Sequence, residues 1–206
     1  MIHHEQTPFR SRCTGSRSRA RRSLGKTHLA PRRRPGLSSG ITRGVLFVHS
    51  APRAVCPHVE WAASNVVGVA VSIDWTEQPV APGLLRGEVP WHGAPGTGAR
   101  LTSALRGWAH LRFEVTEEPS EGVDGGRWSH TPELGIFHAV TDAHGNVVVP
   151  EDRLRAAVEL AGDDLERLRD AFDLAVGRAW DDELEPFRYA GDGAPVRWLH
   201  LSLIHI

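Results

Sequence analysis

The sequence predicts an α+β domain: a ferredoxin-like split βαβ antiparallel sheet with a C-terminal strand pair and a helical extension. Three observations lead there. The apolar period alternates between two and about 3.6 residues in the order strand, helix, strand, strand, helix, strand from residue 41 to residue 120. A second stretch of strand and then helix periods follows it. The aromatic residues also gather in one part of the chain: all seven Trp and all but one of the six Phe lie beyond residue 40, so the core belongs to a single domain over 41–200.

The elements read as follows. Gly44 to His49 is apolar on both parities, the pattern of a central strand covered on both faces. Val59, Ala62, Ala63, Val66 and Val67 form one helical stripe, with Pro57 near its start and Gly68 at its end. Val69, Val71, Ile73 and Trp75 alternate with polar or small residues, which predicts an edge strand. After the turn from Pro79 to Gly83, Leu85 to Trp91 alternates again. Thr97 is placed to cap a helix carrying Leu101, Ala104, Leu105 and Trp108. Leu111, Phe113 and Val115 then make a fourth strand, with Arg112, Glu114 and Thr116 on its wetter face. Glu133 to Thr141 and Asn146 to Val149 pair around Asp142 to Gly145. Glu151 to Ala161 and Asp163 to Ala179 read as helices, the second opening on Asp163 with Glu166 three residues on. A third helix is expected to start at Asp181.

The two ends have a different character. Residues 1–40 hold nine Arg and Lys26 against Glu5, a net of +9, whereas residues 41–200 hold 14 Arg against 24 acids, a net of −10. The N-terminal stretch is rich in Arg, Ser and Pro and lacks the apolar content to offset chain entropy, so disorder is expected over 1–40. It reads as a mis-called start translated through GC-rich DNA; a transit peptide and a basic arm for nucleic acid are the alternatives. Residues 201–206 (LSLIHI) look like the translation of a sequencing adapter and are set aside as a non-native tail. No apolar run has the length to span a bilayer, so no membrane association is expected. Cys13 and Cys56 cannot form a disulfide framework, which favours a reducing, cytoplasmic setting.

From Thr42 to Ala62 the chain resembles an actinobacterial family catalogued as domain of unknown function 3145. The likeness continues through Ser72 to Thr76, Leu105 to Trp108, Arg112 to Pro119, His130 to Ala139 and Ala179 to Ala190. The resemblance implies a soluble bacterial protein without an assigned reaction, encoded near fatty-acid synthesis genes. It carries no catalytic residue over to this chain.

The richest constellation is His49, Arg53, Cys56, His58 and Glu60, which the first strand-to-helix turn gathers. Cys56 at a helix start beside Arg53 and His58 has what lowers a thiol pKa, so Cys56, His58 and His49 are the candidate catalytic residues. The alternative, a zinc site from His49, Cys56 and His58, has no recognised spacing, and no metal is assigned. Arg53 and Ser50, with the N–H groups of the same turn, are candidate anion binders, a phosphopantetheine or coenzyme A phosphate being the suggested ligand. All these readings require the turn to face solvent. His130, His138 and Glu133 form a weaker acid–base set, outweighed by ordinary strand histidines. Trp180, Asp181, Asp182, Glu183 and Glu185 are the candidate interaction surface, and Trp61, Trp91, Trp128 and Trp198 are either core or interface residues.

No Walker loop, dinucleotide fingerprint, nucleophile elbow or HExxH motif is present. The first expectation is therefore a non-enzymatic binding or regulatory module for a protein or a small acidic metabolite. The second is a Cys/His-dependent enzyme acting on a thioester or acyl substrate. Nucleic acid ranks last, because a domain of net −10 repels phosphate. Cofactor and oligomeric state are left open.

Overall fold

The computed structural model describes residues 40–188 of the chain. The expected disordered extension, the adapter-like tail and Trp198 lie outside the described residues. The elements are β1 (Thr42–Pro52), α1 (Cys56–Val67), β2 (Thr76–Glu77), β3 (Leu84–Gly93), α2 (Thr97–Leu105), β4 (Arg112–Glu117), β5 (Gly125–Thr131), β6 (Gly135–Thr141), β7 (Val147–Val148), α3 (Glu151–Ala161), α4 (Leu165–Val176) and α5 (Arg178–Arg188). Among the described residues this is a mixed α+β fold, with five helices and one seven-stranded antiparallel sheet in the order β2-β3-β1-β4-β5-β6-β7. No helix among them is long and apolar enough to cross a membrane.

β1 is central, as its apolar run predicts, with β3 on one side and β4 on the other. The alternation of the strands gives the sheet two unlike faces. Leu46, Val48, Phe113 and Val115 point to the side of α1 and α2, where Val59, Ala63, Leu101 and Leu105 close a core of residues almost wholly removed from water. Each such side chain contributes about 1.5–3 kcal/mol. The residues between them, Phe47, His49, Glu114 and Ser129, turn to the opposite face, where α5 packs on β1 and β5 and buries Leu184. A register shift after Val48 inserts one extra residue in β1 opposite β4, a bulge that re-aims the strand at His49.

Four expectations are corrected. Val69 to Trp75 is not a strand; only Thr76 and Glu77 pair with β3. The side chains of α1 take the backbone groups that a ladder would have used: Ser64 Oγ accepts from Val71 N–H at 2.9 Å, and Glu60 Oε1 accepts from Ile73 N–H at 2.8 Å. The alternation still placed Ile73 correctly, for it is buried. Thr97 does not cap α2. Gly96, in the left-handed region at φ 87°, occupies the cap, while the Glu117 carboxylate from β4 accepts from Gly96 N–H at 2.6 Å and Gly98 N–H at 2.7 Å. β5 went unpredicted because its sequence, GGRWSHT, opens on two glycines that read as a turn. Finally, α4 begins one residue later than the capping pattern indicates. Asp164, not Asp163, accepts from the N–H groups of Glu166 and Arg167; Gly177 ends the helix before the expected Ala179, and the third helix starts at Arg178 rather than at Asp181.

Candidate functional site

The β1–α1 turn does not have the exposure its proposed chemistry requires. Cys56 sits within the α1-side core at 4% exposure, and its Sγ donates to Pro52 O at 3.5 Å. Burial pushes its thiol up, against the lowering by its backbone hydrogen bond and by Arg53, so the expected activation is reversed. The three candidate catalytic side chains also part company. His49 turns to the α5 face, and His58 is exposed on α1, tilted against Trp108 at 6.3 Å between ring centroids. The anion reading meets a similar difficulty. Ser50 is fully buried, and Arg53 reaches out to Glu77 at 2.9 Å. At the helix start the Cys56 N–H bonds Arg53 O at 3.4 Å, His58 and Val59 bond Val55 O, and Pro57 has no N–H, so the first turn of α1 spends its donors within the chain. The zinc alternative is not assembled either: among the described residues no three His, Cys, Asp or Glu side chains gather in a metal-ligating group.

The densest polar constellation lies on the other face of the sheet and centres on Glu114, expected to be a wet strand residue. Its carboxylate is buried and takes six donors. Oε1 accepts from Arg127 Nε at 3.1 Å, Arg127 Nη2 at 2.8 Å, Ser129 Oγ at 3.1 Å and Arg188 Nη2 at 2.7 Å. Oε2 accepts from His49 Nε2 at 2.7 Å and Arg188 Nε at 2.9 Å. Asp181 bridges the same two guanidiniums, pairing with Arg127 and with Arg188 Nη2, the latter at 2.7 Å. Glu114, Arg127, Asp181 and Arg188 thus form a ring of alternating charge. Burial alone would raise the Glu114 carboxyl, but the His49 hydrogen bond and the charges of Arg127 and Arg188 outweigh it and hold the group well below the ordinary carboxylate range. Saturated and held ionised, Glu114 has no lone pair or proton equilibrium to offer a substrate near neutral pH. The ring instead fastens α5 to the sheet.

Buried Gln78 completes that attachment, donating from Nε2 to His49 O at 2.6 Å and to Phe187 O at 3.3 Å. The sequence offers little sign of the ring, because its members come from β1, β4, β5 and α5 and none forms a local motif. The one available signal was an acid at the middle of an apolar strand.

The expected acidic surface is accordingly divided. Trp180 donates from Nε1 to Gly135 O at 3.0 Å and packs against Phe137, Asp181 belongs to the ring, and Glu183 pairs with Arg112 at 3.0 Å. Asp182 and Glu185 remain outward. His130 and His138 lie on adjacent strands and share a face. His130 stacks on Phe113 and bonds Leu111 O through Nδ1, His138 stacks on Trp128, and Glu133 stays exposed in the turn between the strands. Of the candidate tryptophans, Trp91 is core, Trp128 is half-buried and Trp61 is exposed.

A further surface feature escaped the sequence reading. α3 and α4 pack on each other as a hairpin and bury only Ala157, Ala161 and Ala175. Leu154, Val158, Leu165, Phe172 and Val176 stay exposed on it. The two helical spans were legible in the sequence, but whether another layer covers their apolar side is a property of the fold.

No curated protein and no solved structure matches the chain. Residues 45–201 match the family described as Protein of unknown function (DUF3145). With its antiparallel α+β sheet and three-quarters of its length inside that match, the chain belongs to the DUF3145 family.

Proposed function

We propose that this protein is a non-enzymatic binding or regulatory module that works in the cytoplasm and engages a protein partner through α3 and α4. The uncovered apolar stripe on that hairpin carries the reading. The largest contiguous apolar patch on a protein's surface often marks an interaction site. The rest of the fold supports a scaffold role. The order β2-β3-β1-β4, antiparallel throughout, with α1 and α2 on one face, supports reading this part as a ferredoxin-like split βαβ unit, and α5 packs on β1 and β5 on the second face of the sheet. Arg178, paired with Asp173 of α4 and Asp182 of α5, continues the surface from the hairpin onto the acidic helix, so Asp182 stands at its rim.

The Cys/His-dependent enzyme is the weaker reading, because it needs a reachable thiol and Cys56 is sealed and its pKa raised. The test is capture from source cells with tagged full-length protein, either wild type or carrying Val158→Glu with Phe172→Glu. The wild type should retain a bound protein, its own copy or another, that the double variant loses, while Cys56→Ala binds as wild type does. Identical capture by wild type and double variant would refute the assignment of the surface.

A further inference from the structure

Resting on that reading, we propose that the occupant of the α3–α4 surface is a second copy of this chain, the two hairpins pairing about a two-fold axis into a four-helix layer. The geometry of the stripes comes first. On α3, Leu154 and Val158 are one turn apart and lie to one side of the buried Ala157 and Ala161. On α4, Leu165, Phe172 and Val176 recur at seven and four residues and lie to one side of the buried Ala175. At about 100° per residue both stripes are displaced from their buried alanines in the same rotational sense. Because Gly162 to Asp164 turns the chain straight back, α4 runs opposite to α3, and the two stripes come to the same side of the hairpin. The result is one continuous ridge.

Area and charge select a like partner. Five large side chains, Leu165 exposed to 58% and Val158 to 54%, present on the order of 400 Å² of apolar surface, within the range of a monomer's largest patch, which is often functional. Two copies facing each other would bury roughly 800 Å² from the ridges alone. The flanking polar residues then bring the total near the roughly 1,200 Å² of a stable interface. The nearest rim carries its charges as pairs of opposite sign, Glu151 with Arg155 at 2.6 Å on α3, Glu166 with Arg169 at 2.7 Å on α4, and Asp173 of α4 with Arg178 at 3.2 Å. Such a rim meets itself across a two-fold axis without net repulsion and can exchange its ion pairs between copies. Self-complementary pairs of this kind suit an isologous contact.

The experiment is sedimentation of the full chain at several concentrations, for wild type, the ridge variant Val158→Glu with Phe172→Glu, and an off-ridge control, Leu160→Glu with Leu174→Glu. Leu160 and Leu174 are exposed to 78% and 62% but point away from the ridge, so the control keeps the wild-type association. The wild type should be a dimer and the ridge variant a monomer, its association weakened about 100-fold or more by like charges brought face to face. Far-UV circular dichroism should be the same for all three, since the substituted residues are exposed. A wild type that stays monomeric at about 100 µM, a range of weak association, overturns the proposal. So does a ridge variant that still dimerises. If the wild type is monomeric yet the ridge variant loses a different captured protein, the binding-module reading survives and the second-copy inference falls. If neither self-association nor capture depends on the ridge, both fall.

Discussion

Glu114 keeps its charge because six donors reach a carboxylate that solvent hardly touches. Without them, burial would drive the group to its neutral form. Cys56 has the opposite balance. Desolvation outweighs the lowering by its own backbone N–H and by Arg53, the bond its thiol donates to Pro52 O favours the neutral form, and repulsion from nearby Glu60 further disfavours the thiolate. The native thiol should therefore react slowly. Iodoacetamide labelling at pH 7.5, mapped by peptide so that Cys13 is read separately, should modify Cys56 at least about 100-fold more slowly in the folded protein than in denaturant, because reaction waits on opening. Labelling of folded Cys56 at the rate of an unfolded thiol would show the turn to be open and would restore the nucleophile reading.

At the scale of elements, the start of α2 is held by an acid nineteen residues further along the chain. Gly96 and Gly98 give their N–H groups to Glu117, so β4 caps a helix that has no side-chain cap of its own. The negative carboxylate also faces the positive end of the helix dipole. Glu117→Ala should leave these N–H groups unpaired beside a buried void and cost about 1–3 kcal/mol in chemical denaturation. Thr97→Ala should cost less, since its hydroxyl donates to Ala94 O and accepts from Arg100 Nη2 but takes no N–H group of the helix start. Equal losses from the two variants would mean that Thr97 shares the cap.

For the molecule as a whole, the alternating ring ties the C-terminal helix to the sheet, and one consequence is a dependence on pH. Folded Glu114 stays ionised below the value of 4.5 at which the same side chain ordinarily protonates, so as pH falls the unfolded chain takes up the proton first. The ring's contribution is complete above that pH and is lost as pH drops through the folded value. His130 and His138, whose imidazoles burial pushes below 6.5, add a shallower loss that begins nearer neutrality. Denaturant midpoints should therefore fall steeply between pH 5 and pH 3, and Glu114→Gln should flatten that limb. Glu114→Ala should cost about 3–5 kcal/mol at pH 7, because Arg127 and Arg188 would be left facing each other with one acid between them. A loss under about 1 kcal/mol, typical of a surface ion pair, would show that water reaches the ring.

The mixed α+β class, the central place of β1, the stripe of α1, the helical spans of α3 and α4 and the hairpin of β6 with β7 were legible in the sequence. Each depends on hydrophobic periodicity or on a local turn, and those are properties of neighbouring residues. The seal over Cys56, the burial of Glu114, the remote cap on α2 and the failure of Val69 to Trp75 to pair were decided only when the chain folded. In each of these the controlling partner is distant in sequence or is a whole layer of the structure, and whether a polar group meets water or a protein donor depends on what packs above it.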